Sequence, residues 1–205
     1  MPKLDLAGLD VSRETIERLE AYVALLEKWN PKINLVSPDT LDKAWERHII
    51  DSAQLVVLSK KEHSSWVDIG SGGGFPGMVV AAILHEISPE SRITLIESDQ
   101  RKSTFLRTVN RELGLNVFVK TSRIEDCPES NAQIVSARAL APLPKLLGYV
   151  AHHLNTTGTA LLQKGQSWEK EVADAQTSWK FIYTAHKSVT DPSSVVLEIK
   201  DIEHV

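Results

Sequence analysis

The fold of this chain is decided by the stretch WVDIGSGGGFPG, residues 66–77. A short apolar run ends at the acidic Asp68, and a dense set of glycines follows before the apolar segment that begins near Pro76. Glycine adopts positive φ angles and lets a ligand approach the backbone without a Cβ in the way. The pattern therefore predicts a buried strand, a tight turn and a helix, the junction at which many α/β proteins bind nucleotides.

Two known sequence motifs could account for these glycines. The dinucleotide pattern G-x-G-x-x-G fails when counted from Gly70, because its third glycine falls on Phe75, and it fits only from Gly72, further from the strand. An acidic residue followed by alternating glycines (Asp68, Gly70, Gly72, Gly74) resembles instead the first motif of S-adenosylmethionine-dependent methyltransferases. A carboxylate at the strand end suits the ammonium of that donor and would repel a pyrophosphate. Asp68 therefore favours the methyl donor, although an ordinary glycine-rich turn stays open on this stretch alone.

Composition limits the class of protein. The chain has 205 residues, of which 42% are hydrophobic, enough for one core or a core with a small extension, and its single Cys127 excludes an intramolecular disulfide. Residues 1–5 carry no apolar signal segment, and no apolar run approaches the ~18 residues of a membrane span. We expect a cytoplasmic monomer without membrane contact. The net charge of −4 means that an RNA partner would need a local basic patch.

The first 60 residues carry helical signals only. Apolar residues recur at three- and four-residue steps over residues 12–30, with Ser12 as a candidate N-cap and Asn30-Pro31 as a predicted end. A second helical stretch is predicted from Ser37-Pro38 to about residue 58. We predict an N-terminal helical extension over residues 1–60 and one compact domain over residues 61–205.

Strand and helix patterns alternate after residue 65. Strands are predicted at residues 66–69, 93–97, 117–120, 134–136, 159–163, 181–184 and 195–200, and helices at 77–86, 102–113, 144–154 and 167–176. Such alternation predicts a Rossmann-like α/β fold with a mostly parallel seven-stranded sheet and helices on both faces. The last two strands lack a helix between them, which predicts an antiparallel hairpin at the sheet edge.

Several predicted strands end in a residue suited to ligand contact, and ligands of open α/β sheets lie outside the carboxyl ends of the strands. Glu97 ends the second strand, where a carboxylate can accept both hydroxyls of a ribose. Residues 121–126 predict a helix start capped by Ser122, or a loop whose backbone faces an adenine. Arg138 and Lys164 end the fourth and fifth strands beside turns, where they are either ligand contacts or surface charges.

Further motifs lie outside the glycine turn, in order over roughly residues 25 to 170. They occupy residues 29–35, 45–52, 68–77, 101–106, 123–125, 137–143 and 164–165. The most specific are Arg47-His48-x-x-Asp51-Ser52 and the Gly-Phe-Pro-Gly turn. On these motifs the chain resembles the glucose-inhibited division protein B family, whose members methylate N7 of a guanine in small-subunit ribosomal RNA. The resemblance implies S-adenosylmethionine as the donor and small-subunit rRNA, or the assembling subunit, as the partner.

The resemblance also implies site residues. The donor-binding residues would be Gly70, Phe75, Ile124, Glu125 and Arg138, with Glu97 as the ribose partner and Asp68 and Gly72 in the turn. The residues facing the RNA or the transferring methyl would be Asn34, Arg47, His48 and Lys164. Each of these four also has an ordinary structural interpretation: a turn residue, a partner of Asp51, a core histidine and a snorkelling lysine, respectively.

The implied chemistry needs no catalytic acid or base and no metal, because guanine N7 carries a lone pair and no proton. The protein would act by positioning. The RNA contact should be salt-sensitive. Candidate RNA-binding side chains are Lys43, Arg47, Arg101, Lys102, Arg107, Arg111, Lys145 and Lys164. A small-molecule methyltransferase of the same fold, a nicotinamide-dependent oxidoreductase and a non-catalytic nucleotide-binding module are the alternatives.

Overall fold

The computed structural model describes residues 6–59 and 64–205. The strands are β1 (Ser65–Ile69), β2 (Arg92–Glu97), β3 (Val117–Thr121), β4 (Ala132–Arg138), β5 (Leu154–Lys164), β6 (Trp179–Lys187) and β7 (Val195–His204). The helices are α1 (Arg13–Ile33), α2 (Asp51–Leu58), α3 (Gly77–Ile87), α4 (Gln100–Glu112), α5 (Leu143–His153) and α6 (Trp168–Ala175). The first five residues, on which the signal-segment prediction rests, and the predicted domain boundary at residues 60 and 61 lie outside the described residues.

All seven strands form one sheet in the order β3-β2-β1-β4-β5-β7-β6. Strands β1 to β5 are parallel, and β7 pairs antiparallel with both β5 and β6. The predicted α/β sheet with an antiparallel hairpin at its edge is therefore confirmed. The strand order reverses between β2-β1 and β4, and the crevice at such a reversal is where open α/β sheets bind ligands.

Buried side chains of β1 alternate between the two faces of the sheet. Trp66 belongs to a core shared with α1, α3 and α4, whereas Val67 and Ile69 belong to a core shared with α5 and α6. This alternation follows from the two-residue period of a strand. Helices therefore cover both faces, and the carboxyl ends of the strands stay open. Among the described residues no helix is long and apolar enough to cross a membrane.

Helix α1 runs past its predicted end. The helix continues through Pro31 to Ile33, so the prediction of a stop at Asn30-Pro31 is wrong. The reason lies in the buried Asn30, whose side-chain Oδ1 accepts a hydrogen bond from the backbone N–H of Leu35 at 2.8 Å. Asn34 adopts a left-handed conformation with φ 47° and ends the helix there.

The second predicted helix is divided into three segments. A 3₁₀ helix covers Pro38–Lys43, a π-helix covers Trp45–Ile50, and only Asp51–Leu58 is α-helical. A π-helix bonds residue i to residue i+5, so its side chains do not follow the usual four-residue spacing. Residues His48 and Ile49, on the predicted apolar face, are nevertheless buried.

The predicted helix at residues 121–126 is absent from the described structure. Two consecutive turns replace it, in which Asp126 N donates to Arg123 O and Cys127 N donates to Ile124 O. Pro128 follows at once and disfavours helical continuation. These turns carry Ile124 to the carboxyl end of the sheet.

Candidate functional site

A cleft of about 1010 Å³ opens at the carboxyl ends of β1, β2, β4 and β5. Its size lies at the upper end of the range for ligand pockets. One side, the glycine wall, consists of Gly70, Ser71, Gly72, Gly73, Phe75, Ile96, Glu97, Ile124 and Leu140. The other side, the polar wall, consists of Thr40, Arg47, His48, Asp51, Arg138, Gln163, Ser188, Thr190 and Asp191.

The glycine wall is shaped by its backbone. Gly70 and Gly72 have positive φ angles of 67° and 56°, and the amides of Gly70 and Ser71 both donate to Ile96 O at the end of β2. A Cβ added at Gly72 would meet no described atom closer than Gly70 O at 3.9 Å. The turn therefore leaves open space at Gly72, where it lines the cleft.

Glu97 connects the turn after β1 to the turn after β2. Its Oε2 accepts from the amide of Gly72 and its Oε1 accepts from the amide of Asp99, both at 2.7 Å. Each carboxylate oxygen keeps further acceptor capacity. Glu97 is thus held rigidly in the cleft wall and can still accept hydroxyl groups of a ligand.

Asp68 lies beneath the glycine wall and does not line the cleft. Its Oδ1 accepts from Ser136 Oγ at 2.7 Å, and that hydroxyl accepts from Trp66 Nε1 at 2.8 Å. Burial raises the pKa of Asp68 to about 6, against the effect of its hydrogen bonds. A Cβ on Gly77 would come within 2.6 Å of Asp68 Cβ, so the first residue of α3 has to be glycine. Asp68 therefore supports the turn from below; its predicted contact with the donor's ammonium stays a prediction.

Residues 124 and 125 lie at opposite depths of the cleft. Ile124 is buried, whereas Glu125 is exposed and accepts from Tyr149 Oη at 2.7 Å. Hydrogen bonds from its own backbone and from Tyr149 lower the pKa of Glu125. Lys145 Nζ lies 5.6 Å from the centre of the Tyr149 ring. Of the two predicted donor contacts, Ile124 thus provides an apolar surface inside the cleft and Glu125 provides a charge at its rim.

The two walls meet at Phe75. Its ring stacks on His48, with ring centres 4.9 Å apart, and the guanidinium carbon of Arg138 lies 5.1 Å from its centre. Arg138 Nη2 donates to His48 Nδ1 at 3.1 Å, which leaves Nε2 to donate to Thr40 Oγ1 at 2.8 Å. Burial, together with the charges of Arg138 and Arg47, lowers the pKa of His48 to about 3. His48 is therefore neutral at pH 7, with both ring nitrogens engaged.

The predicted alternative that Arg47 pairs with Asp51 is wrong. Arg47 Nη1 contacts Asp191 Oδ2 at 3.4 Å, and Asp51 Oδ2 instead contacts Arg138 Nη1 at 3.5 Å. The π-helical turn that carries Arg47 explains the difference, because it removes the alignment of residues four apart.

Of the predicted substrate contacts Asn34 and Lys164, only Lys164 lines the cleft. Asn34 is exposed at the end of α1 and does not line the cleft, although the following residue, Leu35, does. Lys164 lines the cleft and is buried; its Nζ donates to Ala141 O at 2.7 Å and to Glu171 Oε2 at 2.8 Å. The snorkelling interpretation of Lys164 is therefore wrong, and its ammonium ties the loop after β4 to α6.

The cations of the cleft overlap only partly with the predicted set. Those that line it are Arg47, Lys102, Arg123, Arg138, Lys145 and Lys164. Lys43, Arg101, Arg107 and Arg111 lie outside the cleft wall. Arg107 binds Val119 O and Thr121, and Arg111 pairs with Glu112. In the described part of the chain no group of three or more His, Cys, Asp or Glu side chains is arranged to hold a metal ion.

Sequence reasoning missed part of the polar wall. Gln163 at the end of β5 and Ser188, Thr190 and Asp191 between β6 and β7 all line the cleft. The connection between β6 and β7 was predicted only as a hairpin turn. Its position follows from the antiparallel pairing of β7 with β5, which returns the chain to the carboxyl end of the parallel strands.

Several solved structures share this architecture. A methyltransferase from Geobacter sulfurreducens aligns with a TM-score of 0.61 at 16% identity, covering 98% of each chain. A SAM-dependent methyltransferase from Aquifex aeolicus aligns with a TM-score of 0.61 at 13% identity, covering 87% of this chain and 98% of its own. M. jannaschii TYW2 in complex with AdoMet has a TM-score of 0.53 at 16% identity, with 99% and 82% covered. At these identities the likeness shows the fold alone, and it confirms the predicted Rossmann-like fold with a mostly parallel seven-stranded sheet.

Sequence comparison is more specific. The family model described as "GidB: rRNA small subunit methyltransferase G" matches residues 15–198. Proteins named "Ribosomal RNA small subunit methyltransferase G" are 53% identical in Ruegeria sp. (strain TM1040), covering 96% of each chain, and 50% identical in Paracoccus denitrificans (strain Pd 1222), covering 96% of this chain and all of the relative. The match extends over both walls of the cleft, and the chain belongs to the GidB family of small-subunit rRNA methyltransferases.

Proposed function

We propose that this protein transfers the methyl group of S-adenosylmethionine to N7 of one guanine in small-subunit ribosomal RNA. The family supports the methyltransferase class and the rRNA substrate. One observation carries the choice of N7: His48, the histidine of the cleft wall, is neutral and both of its ring nitrogens are engaged.

The carboxylates of the cleft wall are engaged in the same way. Among the described lining residues, each of the following accepts a hydrogen bond: Asp51, Glu97, Glu125, Glu171 and Asp191. Methylation at guanine N1 or at an exocyclic amine releases a proton that a base must take. Methylation at N7 uses an in-plane lone pair and releases none. A cleft whose described histidine has both ring nitrogens engaged therefore favours N7, and catalysis rests on positioning, which can supply roughly 7–11 kcal/mol in favourable cases.

The glycine wall fits the donor. S-adenosylmethionine supplies a methyl group on a cationic sulfonium, which makes the group transferable. Glu97 would accept hydrogen bonds from the ribose hydroxyls of the donor, and Ile124 and Leu140 would contact its adenine. The open space at Gly72 would let the donor lie close to the backbone of the turn. Gly70, Phe75, Glu125 and Arg138 border the same space.

The RNA would approach along the cationic rim. Exposed or half-exposed cations at the cleft are Arg47, Lys102, Arg123 and Lys145. Phosphate contacts by such side chains make binding salt-dependent and compensate for the acidic net charge. His48 and Lys164 line the cleft but are buried, and Asn34 would act only from its margin.

We further propose a cytoplasmic monomer in which residues 1–60 extend one compact unit. Tyr22 of α1 supports the single compact unit, because it donates to Gly73 O at 2.5 Å and stacks on Phe75 at 5.1 Å between ring centres. The extension thus forms part of the support of the glycine wall.

The test is methyl transfer from labelled S-adenosylmethionine to small subunits and to naked small-subunit rRNA, both from a strain that lacks the enzyme. We expect label in 7-methylguanosine at a single site, with initial rates at saturating donor and RNA that change little between pH 6 and 8. Labelling that falls steeply with salt would report the phosphate contacts.

Two results would overturn the proposal. Label in a different methylated nucleoside would refute the N7 assignment. Donor binding by calorimetry without labelling of either RNA form would favour a small-molecule methyltransferase or a non-catalytic binding module.

A further inference from the structure

Asp51 is the central acceptor of the polar wall. Its Oδ2 accepts from Gln163 Nε2 at 2.6 Å and contacts Arg138 Nη1 at 3.5 Å. Its Oδ1 accepts from Gln54 Nε2 at 2.9 Å, from Thr190 Oγ1 at 3.1 Å and from Ser188 Oγ at 3.2 Å. One carboxylate at the start of α2 thereby joins the ends of β4 and β5 to the β6–β7 connection.

These contacts are directional. The amide nitrogen of Gln163 also donates to the backbone carbonyl of Asp51 at 2.9 Å, so its orientation is fixed from two sides. Ser188 Oγ in turn accepts from the backbone N–H of Thr190 at 3.2 Å, which closes the turn over the carboxylate. An acceptor-only group is required at this point, because two hydroxyls, two side-chain amides and a guanidinium all direct N–H or O–H groups at it.

We propose that Asp51 is a positioning residue that holds the Ser188–Thr190 turn against Arg138 and Gln163. The β6–β7 connection then forms the side of the cleft that contacts the methyl-accepting RNA base, and it sets the affinity for the RNA. The proposal rests on the proposed function. It assigns a role in RNA recognition to a C-terminal connection that carries no motif of its own.

A purely structural role for Asp51 predicts different kinetics. Loss of folded protein lowers the active fraction, which lowers kcat and leaves KM for the RNA unchanged. Loss of the positioned β6–β7 connection weakens binding of the RNA, which raises KM for the small subunit. The ratio of the two effects separates the interpretations.

The variants are Asp51→Asn, Thr190→Val and the double variant. Asparagine keeps the size of Asp51 but directs an NH₂ group at donors, and valine keeps the shape of Thr190 without its hydroxyl. We expect Thr190→Val to raise KM for the small subunit by roughly 3- to 10-fold and to leave the Kd of S-adenosylmethionine within about twofold. Asp51→Asn should raise KM by roughly 10-fold or more, and the double variant should be no worse than Asp51→Asn, because both remove the same coupling.

Asp42→Asn is the matched control. Asp42 is an exposed carboxylate on the 3₁₀ helix of the same N-terminal segment, outside the cleft wall, so its variant should retain wild-type KM and kcat. Thermal unfolding of every variant reports the folded fraction.

An unchanged KM in Asp51→Asn, or independent effects that multiply in the double variant, would overturn the proposal. A failure of the proposed function is distinguishable: in that case the wild-type protein itself would not label guanine N7, whatever the variants do.

Discussion

The two walls of the cleft are built in different ways. The glycine wall is built around the backbone of the turn after β1, which is tied by amide hydrogen bonds to the end of the adjacent strand β2. The polar wall is made of side chains from distant segments, with Asp51 bonded to Thr190 across 139 positions of the chain. A backbone-built wall leaves a local pattern in the sequence, whereas a wall of side-chain contacts depends on a topology that brings distant residues together.

The largest effect should come from Gly74, which lies behind the glycine wall with φ 94°. A Cβ there would overlap Tyr22 Oη and would come within 3.0 Å of Leu106 Cδ2 and of Met78 Cβ. We expect Gly74→Ala to lower the free energy of unfolding by about 3 kcal/mol, from backbone strain and overpacking together. Urea unfolding followed by circular dichroism measures this.

Gly148→Ala in α5 is the control for the same substitution. Its nearest contact would be Trp179 at 3.7 Å, an ordinary distance, and alanine is favoured over glycine within a helix by up to about 1 kcal/mol. The control should therefore be neutral or stabilising. Equal losses in the two variants would mean that the turn is not tightly packed.

A smaller effect is expected at Glu97, and it should appear in binding. Glu97→Gln replaces one acceptor oxygen with an NH₂ group that would face the amide of Gly72 or of Asp99. We expect the Kd of S-adenosylmethionine to rise roughly 10- to 100-fold, the range for a lost hydrogen bond to a charged group. Calorimetry would detect this directly.

Glu112→Gln, an exposed change at the end of α4, removes the same charge away from the cleft and should leave the Kd unaltered. A wild-type Kd in Glu97→Gln would contradict the assignment of Glu97 as the partner of the donor's ribose. The glycine wall would then lack its main polar contact to the donor.

The smallest effect concerns the pH dependence of the polar wall. Folding lowers the pKa of His48 from 6.5 to about 3, so the unfolded chain takes up a proton that the folded protein excludes. The contribution of this group to stability is present above pH 6.5 and is lost as the pH falls from 6.5 towards 3. We expect the Tm of the wild-type protein to fall more between pH 7 and pH 5 than the Tm of His48→Gln.

Asp68, whose pKa is raised to about 6, has the opposite sign, because its burial disfavours the ionised form that predominates above pH 6. It is present in both proteins, so the difference between them isolates His48. His85→Gln, the same change at an exposed histidine of α3, is the matched control for the substitution itself. Identical slopes in wild type and His48→Gln would show that His48 titrates alike in the folded and unfolded states.

The sequence predicted the sheet, its edge hairpin and the glycine wall because each depends on local periodicity, turn chemistry or strand ends. Two of its errors arise from features that local periodicity does not show. Helix α1 passes Pro31 because the Asn30 side chain caps the chain beyond it, and Arg47 misses Asp51 because a π-turn intervenes. Neither a side-chain cap several residues away nor a change in helical period is visible in a pattern of apolar and polar letters.

Tyr22, Phe75 and His48 form a continuous stack of rings between α1 and the π-helix, with Phe75 in the middle. A ring current in Phe75 shields the protons of an imidazole lying over its face. In an NMR spectrum the ring current of Phe75 should therefore shift the His48 ring signals upfield, and these signals should move when a ligand in the cleft tilts either ring. The His48 ring signals thus provide an NMR reporter of ligand binding at the junction of the two walls, without a chemical label.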